Sequence, residues 1–329
     1  MSIQTLQAHM LQHIGVAIDN PVIDGRWHSG RGKGKDKVSY VGHHLPKGML
    51  VRYRHWQKSG EECFTWKEWA DGDIRFNASE YQRRKAESDR KAVLAAKQAD
   101  NERARILAIC HTVMGESIPA SPEHPYLSRK CIFPNGARQS AKRYQVRPQT
   151  HESPEQYIPE GALIIPIHDR TGNLQGIYQI NDDGRKIARG TLKGGSLWIG
   201  GGLTTGEVPN RIYIAEGYAT AVSVHMRTRN PVVACFSTSN LLPIGKELRQ
   251  QYPNAELIYA ADNDIGSFIQ IGGRRIENPG KYYAEQAARS VSASVVLPLV
   301  DGVKSDWNDW HCLQCQQKKA CNGNTGFPF

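Results

Sequence analysis

The segment Arg211-Ile-Tyr-Ile-Ala-Glu-Gly217 is a short apolar run that ends on a carboxylate and a glycine. Two later segments repeat the device. Leu257-Ile-Tyr-Ala-Ala-Asp-Asn-Asp264 ends on two acids, and Ser305-Asp-Trp-Asn-Asp-Trp310 follows the last apolar run. Around them the pattern alternates. Strands are predicted at 211–216, 231–236, 256–261 and 294–299, with helices at 218–228, 240–252 and 280–291. Apolar strands separated by helices imply an α/β fold with an open, largely parallel sheet. Such sheets bind ligands beyond the carboxyl ends of their strands, where Glu216 and Asp262 fall.

Acids at such places suit metal and phosphate chemistry. Asp262 and Asp264 are two apart, so extended chain turns both to one side. Neighbouring carboxylates repel unless a cation lies between them. Only oxygen donors gather here, which favours Mg²⁺ or Mn²⁺. Glu216 fits either a metal ligand or a general base, and Gly217 leaves room for a phosphate beside the backbone. Asp306 and Asp309 are placed to complete the shell. Strand-end acids also serve as helix caps and turn formers, a second reading that applies to each acid taken singly.

Upstream, residues 161–200 read as a β-meander. Ala162–Ile167 and Leu174–Ile180 are strands, Asp169-Arg-Thr-Gly172 and Asp182-Asp-Gly184 are turns, and Leu197–Ile199 closes the segment before a Gly-rich stretch at 200–206. Residues 78–114 form one long helix, polar nearly all round, with Asn77 and Glu80 as a capping box and Ile106, Leu107, Ile109 and Val113 docking its end.

Residues 13–75 are β-rich and basic. Between Arg26 and Lys58 only Asp36 opposes nine cations, and Trp27, Tyr40, Tyr53 and Trp56 are interleaved. Cations for backbone and rings for bases suit a single-strand platform. The same composition also fits a solvated basic face over an aromatic core. The division expected is 1–76, a β-rich basic domain; 77–118, a linker helix; 119–207, a basic subdomain; 208–310, the catalytic domain; and 311–329, a cysteine-containing tail. In that tail Cys312, Cys315 and Cys321 with His311 offer zinc ligands, although a second Cys-x₂-Cys is missing.

The 329 residues carry a formal charge of +10, in keeping with a polyanionic partner. Met1–Gln12 lacks the apolar core of a signal peptide. No run approaches the roughly 18 apolar residues of a membrane span. Seven scattered cysteines suit reduced thiols, and a cytoplasmic protein without membrane contact is expected.

Glu-Gly after a strand, then Asp-x-Asp, then an acidic cluster resembles the topoisomerase–primase (Toprim) domain. Ile165-Pro-Ile-His-Asp-Arg-Thr-Gly172 and the basic run Lys186–Lys193 resemble the subdomain that precedes Toprim in bacterial replicative primases. His124–Leu127, Leu192–Gly195, Ala215–Ala221 and Asn240–Pro243 are similar to motifs in the Toprim primase-like proteins of plasmids, phages and integrative elements. The resemblance covers about 120–310. It implies a DNA primase that makes short RNA primers from ribonucleoside triphosphates on single-stranded DNA. Glu216, Asp262 and Asp264 would be the catalytic metal ligands, joined by Asp306 and Asp309. Lys186, Arg189, Lys193, Lys281 and Asn308 would hold nucleic acid or nucleotide. Two departures stand out: Thr220 replaces an acid of the replicative enzymes, and the loop from Ile265 to Gly280 is long. A Toprim nuclease and a non-catalytic single-strand-binding accessory stay open as alternatives. No Gly-x-x-x-x-Gly-Lys-Ser/Thr loop occurs, so a helicase would be a separate chain.

Overall fold

The computed structural model describes residues 3–31, 37–45, 48–55, 62–69, 78–150, 153–201, 208–271, 274–298, 300 and 302–321. Two compact units divide the chain: Met1–Ala99 with Phe268–Ile276, and Asp100–Ser267 with Glu277–Phe329.

In the first unit, α1 (Ile3–Ile14) precedes β1 (Trp27–Arg31), β2 (Lys37–Leu45), β3 (Gly48–His55) and β4 (Phe64–Trp69), which form one antiparallel meander in that order. Helix α1 was not expected from the sequence. Its signal is the spacing of Leu6, Met10 and Ile14, which bury one stripe against Val38, Tyr40, Val51, Tyr53 and Trp66. Tyr40 and Tyr53, read as stacking rings, are therefore core residues, 4% and 0% exposed. Trp56 and Asn77, with most of the lysines between 33 and 58, lie outside the described residues.

Helix α2 (Ala78–Glu116) is long and exposed over much of its length. Its last turns bury Cys110 and Val113 against Tyr144, Val146, Ile158, Ile164 and Ile177. The second unit continues with β5 (Ile118–Pro119), α3 (Pro125–Lys130), β6 (Arg138–Gln139), β7 (Tyr144–Arg147), β8 (Gln156–Ile158), β9 (Leu163–His168), β10 (Leu174–Ile180), β11 (Lys186–Gly190) and β12 (Leu197–Ile199). Strands β11-β10-β9-β6-β5 form an antiparallel sheet, and β7 pairs with β8. The expected turns are present: Gly172 N–H donates to Asp169 O and Gly184 N–H to Asn181 O.

The remaining elements are β13 (Arg211–Ala215), α4 (Tyr218–Thr228), β14 (Val232–Ala234), α5 (Thr238–Gln251), β15 (Glu256–Ala260), the hairpin β16 (Phe268–Ile271) and β17 (Arg274–Glu277), α6 (Pro279–Ser290), β18 (Ser294–Val296) and α7 (Trp307–Cys321). The sheet order is β12-β14-β13-β15-β18, with β14, β13, β15 and β18 parallel. The fold is thus α/β with a largely parallel sheet. One strand departs from expectation: Leu197–Ile199 leaves the meander and pairs antiparallel with β14 as the edge of this second sheet. The segment read as a plain acidic loop holds the β16–β17 hairpin.

Helix α4 packs on one face with the meander, and α5 and α6 pack on the other. The chain goes from β13 to β14 on one side, then returns to β15 on the other. That reversal opens a crevice at the carboxyl ends of β13 and β15. Among the described residues no helix is long and apolar enough to cross a membrane. Cys63, Cys110, Cys131, Cys235, Cys312 and Cys315 are free thiols.

The α5–β15 contact is close because Gly245 faces Tyr259. A β-carbon there would stand 1.9 Å from the Tyr259 hydroxyl oxygen, which donates to Leu241 O at 3.1 Å. Gly245→Ala is expected to destabilise the protein by about 2 kcal/mol, seen as a lower urea midpoint with unchanged slope.

Candidate active site at the carboxyl edge of the parallel sheet

Glu216 follows β13 directly and Asp262 stands two residues beyond β15, so two neighbouring parallel strands deliver their acids to one crevice. A cavity of ≈ 150 Å³ forms there. Its polar lining comes from Glu216, Asp262, Asp306, Lys130, Lys186 and the first turn of α4, and Tyr126, Tyr178 and Phe236 wall it. Gly217 caps α4 in extended backbone without a side-chain hydrogen bond. The amides of the first turn have no partner within the helix, and they point their partial positive charge at the cavity. Thr220, in place of an acid, lines the same wall and is buried.

The acids sit in surroundings that oppose their charge. Burial, then repulsion from Asp306, Glu216 and Asp264, raises the Asp262 carboxyl to about 7. Its Oδ1 is buried without a hydrogen-bond partner. Burial and then Asp264 push Glu216 upward, partly offset by the Thr238 amide and Lys186. Lys186 is held below its ordinary value by burial and then Lys130, against the pull of Asp306, Asp262 and Glu216. Three carboxylates with two lysines opposite, in a place short of water, make a site for a ligand that carries both cation and anion.

Asp264 is not turned into this cavity. Its Oδ2 accepts from Gly280 N–H at 3.0 Å, and Lys304 Nζ lies 2.7 Å from its Oδ1. A β-carbon on Gly280 would meet Asp262 O at 2.7 Å and Asp264 Oδ2 at 2.9 Å, so only glycine lets α6 approach the acids. Asn278 binds the loop behind them: its Oδ1 accepts from Asp264 N–H at 2.8 Å, and its Nδ2 donates to Asn263 Oδ1 at 2.7 Å.

Several expected site residues have other work. Asp309 is exposed and forms a reciprocal cap with Asp306: Asp306 N–H donates to Asp309 Oδ2 at 3.0 Å, and Asp309 N–H to Asp306 Oδ1 at 2.7 Å. It starts α7 rather than completing a metal shell. Asn308 is fully buried and donates to Lys130 O and Ser223 Oγ, which removes it from any contact with nucleotide. Arg189 is 8% exposed, and its guanidinium donates to Gln179, Gln156 and Tyr157 O. It ties β10, β11 and β8 together instead of meeting phosphate. Lys193 and Lys281 are exposed outside the cavity lining, and Lys281 stands 3.8 Å from Glu285. In the tail, His311 Nε2 is 2.9 Å from Cys131 O and Cys312 Sγ donates to Lys130 O, while the Cys321 side chain lies outside the described residues. Zinc at Cys312, Cys315 and Cys321, the less favoured reading of this tail, therefore falls in part outside the described side chains. Among the described residues, no group of three or more His, Cys, Asp or Glu is arranged to hold a metal.

Sequence reading missed Lys130, Tyr126 and Tyr178. Tyr126 is part of His124-Pro-Tyr-Leu127 and Lys130 follows it, and the histidine of this motif caps α3 by accepting from Tyr126 N–H at 3.2 Å. That cap fixes the helix whose last residue is Lys130, so the motif itself was the available signal.

For a divalent cation the chemistry of the cavity fits. The donors are all oxygens, and Asp262 Oδ1 is buried and unpartnered. Glu216, Asp262 and Asp306 line that cavity and are the residues that would hold the cation, although they do not stand as a preassembled ligand set.

Residues 211–317 match the family model of the Toprim domain. A DNA primase TraC of Escherichia coli is 27% identical over 291 residues, covering 85% of this chain and 18% of its own length. A second Escherichia coli DNA primase TraC is 24% identical over 301 residues, covering 89% and 26%. The chain thus spans no more than about a quarter of the length of the curated relatives it matches. A solved structure of the DnaG catalytic core aligns at 14% identity and a TM-score of 0.41, over 67% of this chain and 77% of that one. Residues 211–317 are thus similar to the Toprim domain, and the chain is similar to DNA primases.

Two outcomes follow from the site. Asp262 keeps its proton up to about pH 7 when folded, whereas the unfolded chain releases it near pH ~4. The folded state binds the extra proton between those values, so this group makes stability fall as pH rises through that window. Asp262→Asn is expected to raise unfolding free energy by about 2 kcal/mol near pH ~8, with the gain gone near pH ~4; urea titrations at both pH values check this. Asn308→Ala is expected to lose about 1–3 kcal/mol, because it strands Lys130 O and Ser223 Oγ; the same titration measures it.

Proposed function

We propose that this chain is a primase-like nucleotidyltransferase, which makes short RNA primers on single-stranded DNA with Mg²⁺ or Mn²⁺. The observation that carries the reading is the meeting of Glu216, Asp262 and Asp306 with Lys130 and Lys186 under the first turn of α4. Similarity to DNA primases supports the choice of substrates.

Phosphoryl transfer asks little covalent chemistry of a protein and much positioning and charge neutralisation. In this reading Lys186 and Lys130 receive the phosphates of the incoming ribonucleoside triphosphate. The first-turn amides of α4 take phosphate oxygens as helix N-termini do. Glu216, whose proton affinity burial has raised, accepts the proton of the primer 3′-hydroxyl at its carboxylate. Glu216, Asp262 and Asp306 would hold a divalent cation, which when bound would supply Lewis-acid stabilisation of the charge on the pyrophosphate leaving group. Asp264 stands beside this set with Oδ2 on Gly280 N–H and Oδ1 on Lys304, and in this reading it would join as a ligand only after turning away from Lys304. The tyrosines Tyr126 and Tyr178 limit water at the reacting atoms. The free thiols suit a cytoplasmic setting, and strand separation would come from a separate helicase.

Glu216→Gln is expected to reduce metal-dependent incorporation of labelled ribonucleotides on single-stranded template by about a hundred-fold or more, with an unchanged circular dichroism spectrum. Primer synthesis at the wild-type rate by this variant would sink the assignment. So would a wild-type protein that only shortens the template in the presence of Mg²⁺.

A further inference from the structure

We propose that the outward face of the four-stranded sheet β1–β4 is a binding surface for single-stranded DNA, organised around Trp27. The inference rests on the template-directed reading above and gives the template a surface of its own.

The registers sort the side chains of this sheet. Val38, Tyr40, Val51, Tyr53 and Trp66 face α1 and the core. The intervening positions face away. Trp27 pairs with Val41, Val41 with Arg52, and Arg52 with Thr65, while Lys67 stands opposite Leu50. Partners in an antiparallel ladder project to the same side, so one row crosses all four strands. Arg52, Thr65 and Lys67 are exposed.

Trp27 is 52% exposed, and the Arg54 guanidinium lies 5.2 Å from its ring centroid. One side of the indole thus carries a cation, and Val41 beneath it is buried. An exposed indole on a sheet, braced by arginine, is a platform on which a base can stack whatever its identity. Arg52 and Lys67, exposed on β3 and β4 across the sheet from Trp27, stand to meet phosphates.

The charge is one-sided. The only carboxylate in the four strands is Glu68, which accepts from Thr5 of α1 on the core side. Arg26, just before β1, is 3.7 Å from Asp89 and is not counted among the phosphate contacts. An acidic peptide would meet the cations but has no use for the indole. A duplex buries its base faces. Single-stranded DNA supplies both the phosphates and the open faces.

The test is fluorescence anisotropy of the full chain with labelled oligothymidylate across a salt series. Trp27→Ala is expected to weaken binding by about ten-fold, with most of it recovered in Trp27→Phe. Arg52→Glu with Lys67→Glu is expected to lower the salt slope by about 1.4, two single-strand phosphate contacts. Circular dichroism checks that each variant folds. Wild-type binding by both variants overturns the surface, as does polyglutamate displacing the probe as well as unlabelled oligothymidylate does. If such variants still make primers, the pocket reading stands and the surface falls. If they lose binding while the wild type makes no primer, the surface stands and the pocket reading falls.

Discussion

The constraint on which the second unit depends is the crowding of Glu216, Asp262 and Asp306 in a place with little water. Repulsion and burial both work against their charge, as the upward shifts of Asp262 and Glu216 record. Everything near them answers that crowding. Lys186 and Lys130 stand opposite, α4 presents its amino end, and the Thr238 amide at the start of α5 reaches Glu216. Asp264 is turned aside onto Gly280 N–H and Lys304, which keeps a further charge out of the cavity. The topology makes this possible, because only at a reversal of strand order do two parallel strands end on an open crevice.

The motifs of the sequence turn out to be partners of one another. Asn240 accepts from Gly194 N–H at 3.0 Å and donates to Leu192 O, Gly195 O and Cys235 O. The Leu-Lys-Gly-Gly and Asn-Leu-Leu-Pro motifs are thus two halves of one joint, which holds the meander against the end of β14. Gly195 is needed in it, since a β-carbon would stand 2.3 Å from Ile167 Cγ2 and 2.4 Å from Gln175 Nε2. His124 does similar work, capping α3 with one ring nitrogen and standing 2.9 Å from Gly161 O with the other. These side chains shape the walls of the cavity without facing it.

What could be read in the sequence follows the range of the interactions. Periodicity is local, so the strands and helices around Glu216 and Asp262 were legible, and so was their shared sheet edge. Pairing across long separations was not. Nothing in Leu197-Trp-Ile199 tells which sheet it joins, because any short apolar strand suits either edge. Asp309 was misread because a helix cap and a ligand cluster look alike when written out, and Asn308 because its partners Lys130 and Ser223 lie far from it along the chain. Arg189 was misread because burial of an arginine depends on Gln156, Gln179 and Tyr157, residues that no spacing rule connects to it. Tyr40 and Tyr53 show the reverse failing, since alternation alone would have turned them inward with Val38 and Val51.

The insertion between Asp264 and α6 has a consequence for kinship. Asn278 closes its base: the Asn278 N–H donates to Ser267 O at 3.0 Å, and its side chain grips Asn263 and Asp264. The acids are anchored on the near side of that clasp, so the number of residues beyond it is of no concern to them. A change in the length of the hairpin beyond it would therefore leave the acids in place. Searches that demand a fixed interval from the Asp-x-Asp pair to the next helix would then pass over chains built on the same plan, and the clasp rather than the interval is the feature to look for.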